Sequence, residues 1–253
     1  MAYSKINLEF EDGVAWIKLA NPPLNIVDLE MMNELIDAVE KSEGEACIAV
    51  IGNEGKHFSA GAEIKEHYPD KAPEMITTFT ELIGRILNYD GVTVAAVRGY
   101  ALGGGFEIPM ACDVILASQN AKLGNPEITL AHYPPIAIAL LPRMIGWKNA
   151  FEIIFTGEAI SAQRGVEIGI VNRVFSDESF DDEVKRYVSS LKEKSPAALK
   201  YTKKALKASL ALSFDQLMEE INDIYLNGLV KTQDAVEGLD AFLEKRKPVW
   251  KTE

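Results

Sequence analysis

Two hydrophobic rhythms alternate along much of the chain. Val14 to Leu19 alternates apolar and polar positions after the turn residues Asp12-Gly13, which predicts a strand, and Asn21-Pro22-Pro23 stops it. Asp28 is a good N-cap, and Leu29, Met32, Leu35, Ile36 and Val39 then fall on one helical stripe. Cys47 to Ile51, closed by Gly52-Asn53, reads as a buried strand. Strand, helix, strand in this order implies a βαβ unit and a mainly parallel sheet, an α/β class. Pro73 to Leu87 predicts a helix, and Val92 to Val97 and Val114 to Ala117 two more buried strands. Trp147 to Phe155 and Ser161 to Gly169 read as short helices either side of Thr156-Gly157, and Ile170 to Phe175 as a last strand.

From Asp177 onward strands stop and amphipathic helices take over, with breaks near Ser195-Pro196, Leu212-Ser213 and Lys231-Thr232. Their stripes (Leu199, Thr202, Ala205 and Leu206; Leu217, Ile221, Ile224 and Tyr225) suit a core or a subunit interface. The expected division is a core over residues 1–195 and a C-terminal helical region over 196–253.

The stretch around which the chain is organised is Val92 to Glu107. Gly103-Gly104-Gly105 follow the strand and lead into Phe106 to Cys112, which could form the first turns of a helix. Three residues without side chains let a ligand approach the backbone. At a helix start their N–H groups have no intrahelical partner and the dipole is positive. That arrangement can hold an oxygen that gains negative charge. Glu107 would sit one turn along the same face as Gly104. A second small-residue loop, Glu54 to Lys65, follows another strand and offers backbone N–H groups at Ser59-Ala60-Gly61-Ala62, flanked by Lys56 and Lys65. Glu127, in the loop Ala121 to Glu127, precedes the largely apolar Ile128-Thr129-Leu130 and should not be fully solvated.

Composition narrows the chemistry. The 253 residues carry a net charge of −12, which disfavours nucleic acid or an anionic membrane surface as the main partner. Two cysteines, Cys47 and Cys112, are too few for a disulfide framework and read as core residues. No apolar run reaches the ~18 residues of a membrane span and no signal peptide is evident, so a cytoplasmic protein is expected. His57, His67 and His132 lie in different segments without a carboxylate cluster, so no metal site is expected. There is no G-x-G-x-x-G, no P-loop and no G-x-S-x-G. What survives is a pair of glutamates, each following a buried strand, and two glycine/alanine loops.

Four segments in order, Phe58 to Lys65, Gly99 to Glu107, Leu123 to Glu127 and Phe242 to Pro248, resemble the crotonase, or enoyl-CoA hydratase/isomerase, superfamily. The resemblance implies a ββα-repeat spiral with a C-terminal helical region, assembled as a homotrimer or a dimer of trimers. It implies that the N–H groups of Ala62 and Gly104 form an oxyanion hole for a thioester carbonyl, and that Glu107 and Glu127 align with the two carboxylates of the hydratase branch. Backbone around Ala60, Ala62 and Ile64 would hold the adenine end of coenzyme A, with Lys65 near its phosphates and Phe242 and Lys245 reaching in from a neighbouring subunit. Coenzyme A would be part of the substrate, and no separate cofactor is expected.

The chemistry explains those residue types. Water adds to the β-carbon of an α,β-unsaturated thioester, and charge moves to the thioester oxygen; losing one aimed donor there typically costs ~3–4 kcal/mol. One carboxylate orients water and takes its proton, and the other carboxyl group supplies a proton at the α-carbon. Glu107 is assigned to water and Glu127 to the α-proton, a split the residues alone leave open. An enoyl-CoA isomerase or an acyl-CoA hydrolase would use the same oxyanion hole, and a non-catalytic RNA-binding member is the out-of-class reading. One stretch departs from the family pattern: where common hydratases carry a glycine-rich run, this chain has His132 to Leu141, with Pro134, Ile136 and Ile138 expected to reshape the acyl pocket. In this it looks similar to the branch that hydrates cyclic dienoyl-CoA thioesters such as cyclohexa-1,5-diene-1-carbonyl-CoA.

Overall fold

A computed structural model of the protein describes residues 3–208 and 224–251. The main sheet has six strands in the order β1 (Ile6–Glu11), β2 (Val14–Leu19), β3 (Ile48–Asn53), β4 (Val92–Val97), β6 (Val114–Ser118) and β9 (Arg173–Phe175). β1 is antiparallel to β2, whereas β2–β3, β4–β6 and β6–β9 pair in parallel. A smaller sheet orders β5 (Tyr100–Leu102), β7 (Lys122–Gly124) and β8 (Ile160–Ser161). The strand over Ile6–Glu11 has one buried residue, Ile6, at its start, so its polar run hides the strand from pattern reading. β5 and β7 lie in stretches read as loops, because three-residue strands carry too short a period to register. β9 is shorter than the expected Ile170–Phe175.

Helices pack as their stripes require. α1 (Leu29–Glu45) is capped by the Asp28 carboxylate, which accepts from the Met31 N–H, and it buries Met32, Leu35 and Val39. α2 (Ala72–Asn88) buries Met75, Phe79, Leu82, Ile83 and Ile86. α3 (Gly104–Ala111) is buried at every residue, which is why it has no polar face. α4 (Pro135–Thr156) is two helical runs broken at Gly146, whose φ of 75° and ψ of 159° are not helical, so the expected helix from Trp147 forms its second run. α5 (Ala162–Ile168) follows with Ser161 as its cap. Cys112 is buried as expected, and Cys47 half-buried.

The chain divides into two compact units, Met1–Tyr89 with Thr93–Lys185, and Asp90–Val92 with Arg186–Glu253. The boundary after Lys185 falls within α6 (Phe180–Lys192). The second unit contains α7 (Pro196–Ala208) and α8 (Gln233–Glu244). Within it Leu199 and Ala205 of the expected α7 stripe are half-buried and Thr202 and Leu206 exposed, and Lys203 is buried and donates to the Gly91 carbonyl at 3.0 Å. The Leu212-Ser213 break and Leu217 and Ile221 fall outside the described residues. Among the described residues no helix is long and apolar enough to cross a membrane.

Candidate active site

Loop Phe58 to Ala62 lies along β5 because their backbones pair. Ser59 N–H donates to the Tyr100 carbonyl at 2.9 Å, and Leu102 N–H to the Ser59 carbonyl at 3.0 Å. β5 runs directly into the glycine turn and α3, so this pairing draws the two small-residue segments together. On its other side the loop bridges Val27, whose N–H donates to Gly61 O and whose carbonyl accepts from Glu63 N–H, both at 3.0 Å. That register turns the Ala62 N–H away from Val27. Gly104 is the first residue of α3, and its N–H is an orphan of the helix start. Among the described residues neither amide has an acceptor.

Each amide follows a glycine at positive φ, Gly61 at 123° and Gly103 at 53°. A Cβ built on Gly104 would sit 3.4 Å from Ala62 Cβ and 3.5 Å from Ala62 N, so the two donors are neighbours. Ser59, fully buried, braces the turn by accepting from the Gly61 N–H at 3.1 Å. It is a turn-builder, and its place two residues before Gly61 is the sequence signal for that role.

Glu107 rises from α3 into the interior and is 3% exposed. Its Oε1 accepts from the Ala137 N–H at 2.8 Å. Ala137 is in the first turn of α4, where Pro134 and Pro135 set the helix entry and the N–H groups lack helical partners. The glycine-poor stretch therefore supplies the carboxylate's partner. Pro134 is buried and Ile136 packs against the core, while Ile138 is 45% exposed. Burial pushes the Glu107 carboxyl up to about 7, the Glu127 charge adds to that, and the Ala137 and Ile136 N–H groups oppose it.

Glu127 stands on the 3-10 turn Pro126–Leu130. A Cβ on Gly103 would lie 2.9 Å from its Oε1, which places the carboxylate beside the glycine turn. Burial raises its pKa as well, opposed by its own N–H, the Asn125 amide and the His67 charge. His67 lies edge-on to His132 with ring centres 5.8 Å apart, and His132 is exposed. The Glu127 charge thus makes the ionisation of Glu107 harder.

Ala62, Gly104, Glu107 and Glu127 are thus brought together. Ala60 is half-buried, with its N–H used by the Leu24 carbonyl. Ile64 and Lys65 lie exposed on the adjoining 3-10 turn Ile64–His67. Phe242 and Lys245 belong to the second unit; Lys245 is exposed just past α8, and the Phe242 side chain is outside the described ones. Among the described residues no group of three His, Cys, Asp or Glu side chains could hold a metal.

A stability consequence follows from Glu107. Its folded pKa lies above the 4.5 of an unperturbed glutamate, so its contribution is full below pH 4.5 and is lost as pH rises through 7. A rise of that size corresponds to about 3 kcal/mol. Glu107→Gln, which cannot ionise, is expected to be more stable than wild type at pH 8 and little different at pH 4.5. Urea melts at the two pH values check this; parallel pH dependences of the two proteins would refute it.

The family model described as enoyl-CoA hydratase/isomerase matches residues 9–253. A cyclohexa-1,5-dienecarbonyl-CoA hydratase of Thauera aromatica is 33% identical, covering 97% of this chain and 96% of its own. A crotonyl-CoA hydratase of Syntrophomonas wolfei is also 33% identical, covering 98% of each. The crystal structure of an enoyl-CoA hydratase from Bacillus anthracis superposes with a TM-score of 0.94 at 28% identity, over 99% of this chain and 100% of that one. With a family match over residues 9–253 and relatives at 33% identity along nearly the whole chain, the chain belongs to the enoyl-CoA hydratase/isomerase family.

Proposed function

We propose that, in this hydratase-type enzyme, the Ala62 and Gly104 N–H groups hold the thioester oxygen of an α,β-unsaturated acyl-CoA while Glu107 and Glu127 move the protons. The oxygen of water bonds to the β-carbon and its proton passes to Glu107; Glu127 gives its proton to the α-carbon as the enolate-like oxygen loses its charge. The carboxylates end with their proton exchanged between them, and one water has been added. A single observation carries the reading: two glycine-turned amides adjoin the Glu127 carboxylate, whose charge in turn bears on the buried Glu107. Two glutamates favour hydration over isomerisation, which can manage with one.

Ala60, Ala62 and Ile64 backbone would seat the adenine end of coenzyme A, and Lys65 its phosphates. Phe242 and Lys245 would come from a neighbouring subunit of a homotrimer or a dimer of trimers. The reaction needs no cofactor beyond the coenzyme A of the substrate, and the enzyme acts in the cytoplasm.

For the acyl group, the two relatives named above are equally similar, so their names do not choose between ring and chain. The Pro-Pro-Ile-Ala-Ile run does favour one: Pro134 and Ile136 stand beside the Glu107–Ala137 contact where smaller residues would leave room for a flexible chain. The substrate is therefore a cyclic dienoyl-CoA of the cyclohexa-1,5-diene-1-carbonyl type. Following the loss of enoyl-thioester ultraviolet absorbance on mixing, kcat/KM for the cyclic substrate should exceed that for crotonyl-CoA. A clear preference for crotonyl-CoA would remove the cyclic assignment, and no absorbance change with either would remove hydration.

A further inference from the structure

Among the described residues two asparagines are buried, and their surroundings differ. Asn25 is 1% exposed, with its Nδ2 donating to the Glu54 and His57 carbonyls at 3.1 and 2.8 Å and its Oδ1 accepting from the Asn21 N–H at 2.8 Å. Every part of that amide serves the loop. Asn125 is fully buried, and neither its Nδ2 nor its Oδ1 makes a hydrogen bond of ordinary length among the described residues, although its amide lies near enough to Glu127 to help hold that carboxyl's pKa down. Buried amides without partners are uncommon in native structures because desolvation is left uncompensated. A further unpartnered buried atom is Glu127 Oε2, two residues away. The Gly124 carbonyl takes the Gly103 N–H at 2.8 Å, so Asn125 leaves β7 alongside the glycine turn and enters the proposed site.

Resting on the assignment of Glu127 as the α-proton donor, we propose that Asn125 is a positioning residue: its Nδ2–H donates to Glu127 Oε2 in the loaded site and thereby fixes the transferred proton on Oε1. A carboxyl group that accepts at one oxygen through its carbonyl character must carry its hydrogen on the other. Oε1 is the oxygen beside Gly103, next to the donor Gly104 and hence nearest the thioester and its α-carbon. Without the amide, the proton populates both oxygens and only one faces the substrate. The amide also favours the Glu127 anion, against burial and alongside His67; the other charged group facing Glu127 is Glu107 on α3.

Asn125→Asp keeps the shape and replaces the donor by an acceptor, and Asn125→Leu removes both polar ends. Both are expected to lower kcat by about a hundredfold with KM little changed, as for a misdirected catalytic group. In both, the basic limb of the pH–rate profile should move to higher pH, since the Glu127 anion loses a donor. Asn125→Leu should keep or raise Tm, because it replaces an unpartnered amide with an apolar group. Wild-type kcat, or an unmoved basic limb, in either variant would overturn the inference, as would a loss confined to Tm. Glu127→Gln is measured in parallel. If it turns over normally, the assignment of Glu127 fails and the inference fails with it; if it is inactive while Asn125→Asp is unimpaired, the inference alone fails.

Discussion

Glu107→Gln is expected to hydrate its enoyl-CoA substrate about 10²–10⁴-fold more slowly than the wild type, with thioester binding nearly unchanged. The side chain keeps its size and still accepts from the Ala137 N–H, so the N-terminal turn of α4 stays in place. What disappears is a basic oxygen poised near neutral pH, where a general base works best. Stopped-flow absorbance with saturating substrate separates this from a binding defect. Near-normal turnover would mean that the water is activated elsewhere. Taken with the gain in stability expected of the same variant above pH 7, the result would show a charge kept for chemistry against the interest of the fold.

Gly103→Ala is expected to cost about 1–3 kcal/mol of stability and to remove most of the activity. Gly103 stands at φ 53°, ψ −131°, a conformation that side chains rarely adopt. The added methyl would also arrive 2.9 Å from Glu127 Oε1, so relief of the contact moves either the carboxylate or the Gly104 amide. Gly44→Ala in α1 is the control: nothing lies within 4 Å of its built Cβ, and the helix should gain up to about 1 kcal/mol. Full activity in Gly103→Ala would show that the turn does not set the oxyanion geometry.

Periodicity located α1, α2 and β2 to β4 because each buries one face or both over at least five residues. It missed β1, whose strand is mostly exposed, and β5 and β7, which are held by pairing with neighbours rather than by a hydrophobic repeat. Glu107 and Glu127 were visible as carboxylates in apolar surroundings, and Gly103 to Gly105 as backbone open to a ligand. The Ala137 N–H was not legible, because any residue at that position of α4 would supply it. Nor was Asn125: its identity is ordinary for a loop, and only burial without partners sets it apart from Asn25. Side-chain chemistry can thus be read along the chain, whereas backbone donors and unsatisfied atoms need the fold.

The most direct test of the central claim is the crystal structure of Glu127→Gln soaked with the enoyl-CoA substrate. The account predicts the thioester oxygen about 2.7–3.1 Å from both the Ala62 and the Gly104 nitrogens. It also predicts residue 127 against the α-carbon and Glu107 facing the β-carbon. A thioester oxygen beyond reach of either amide, or an acyl chain that leaves the two side chains on opposite sides of unreactive carbons, would contradict it.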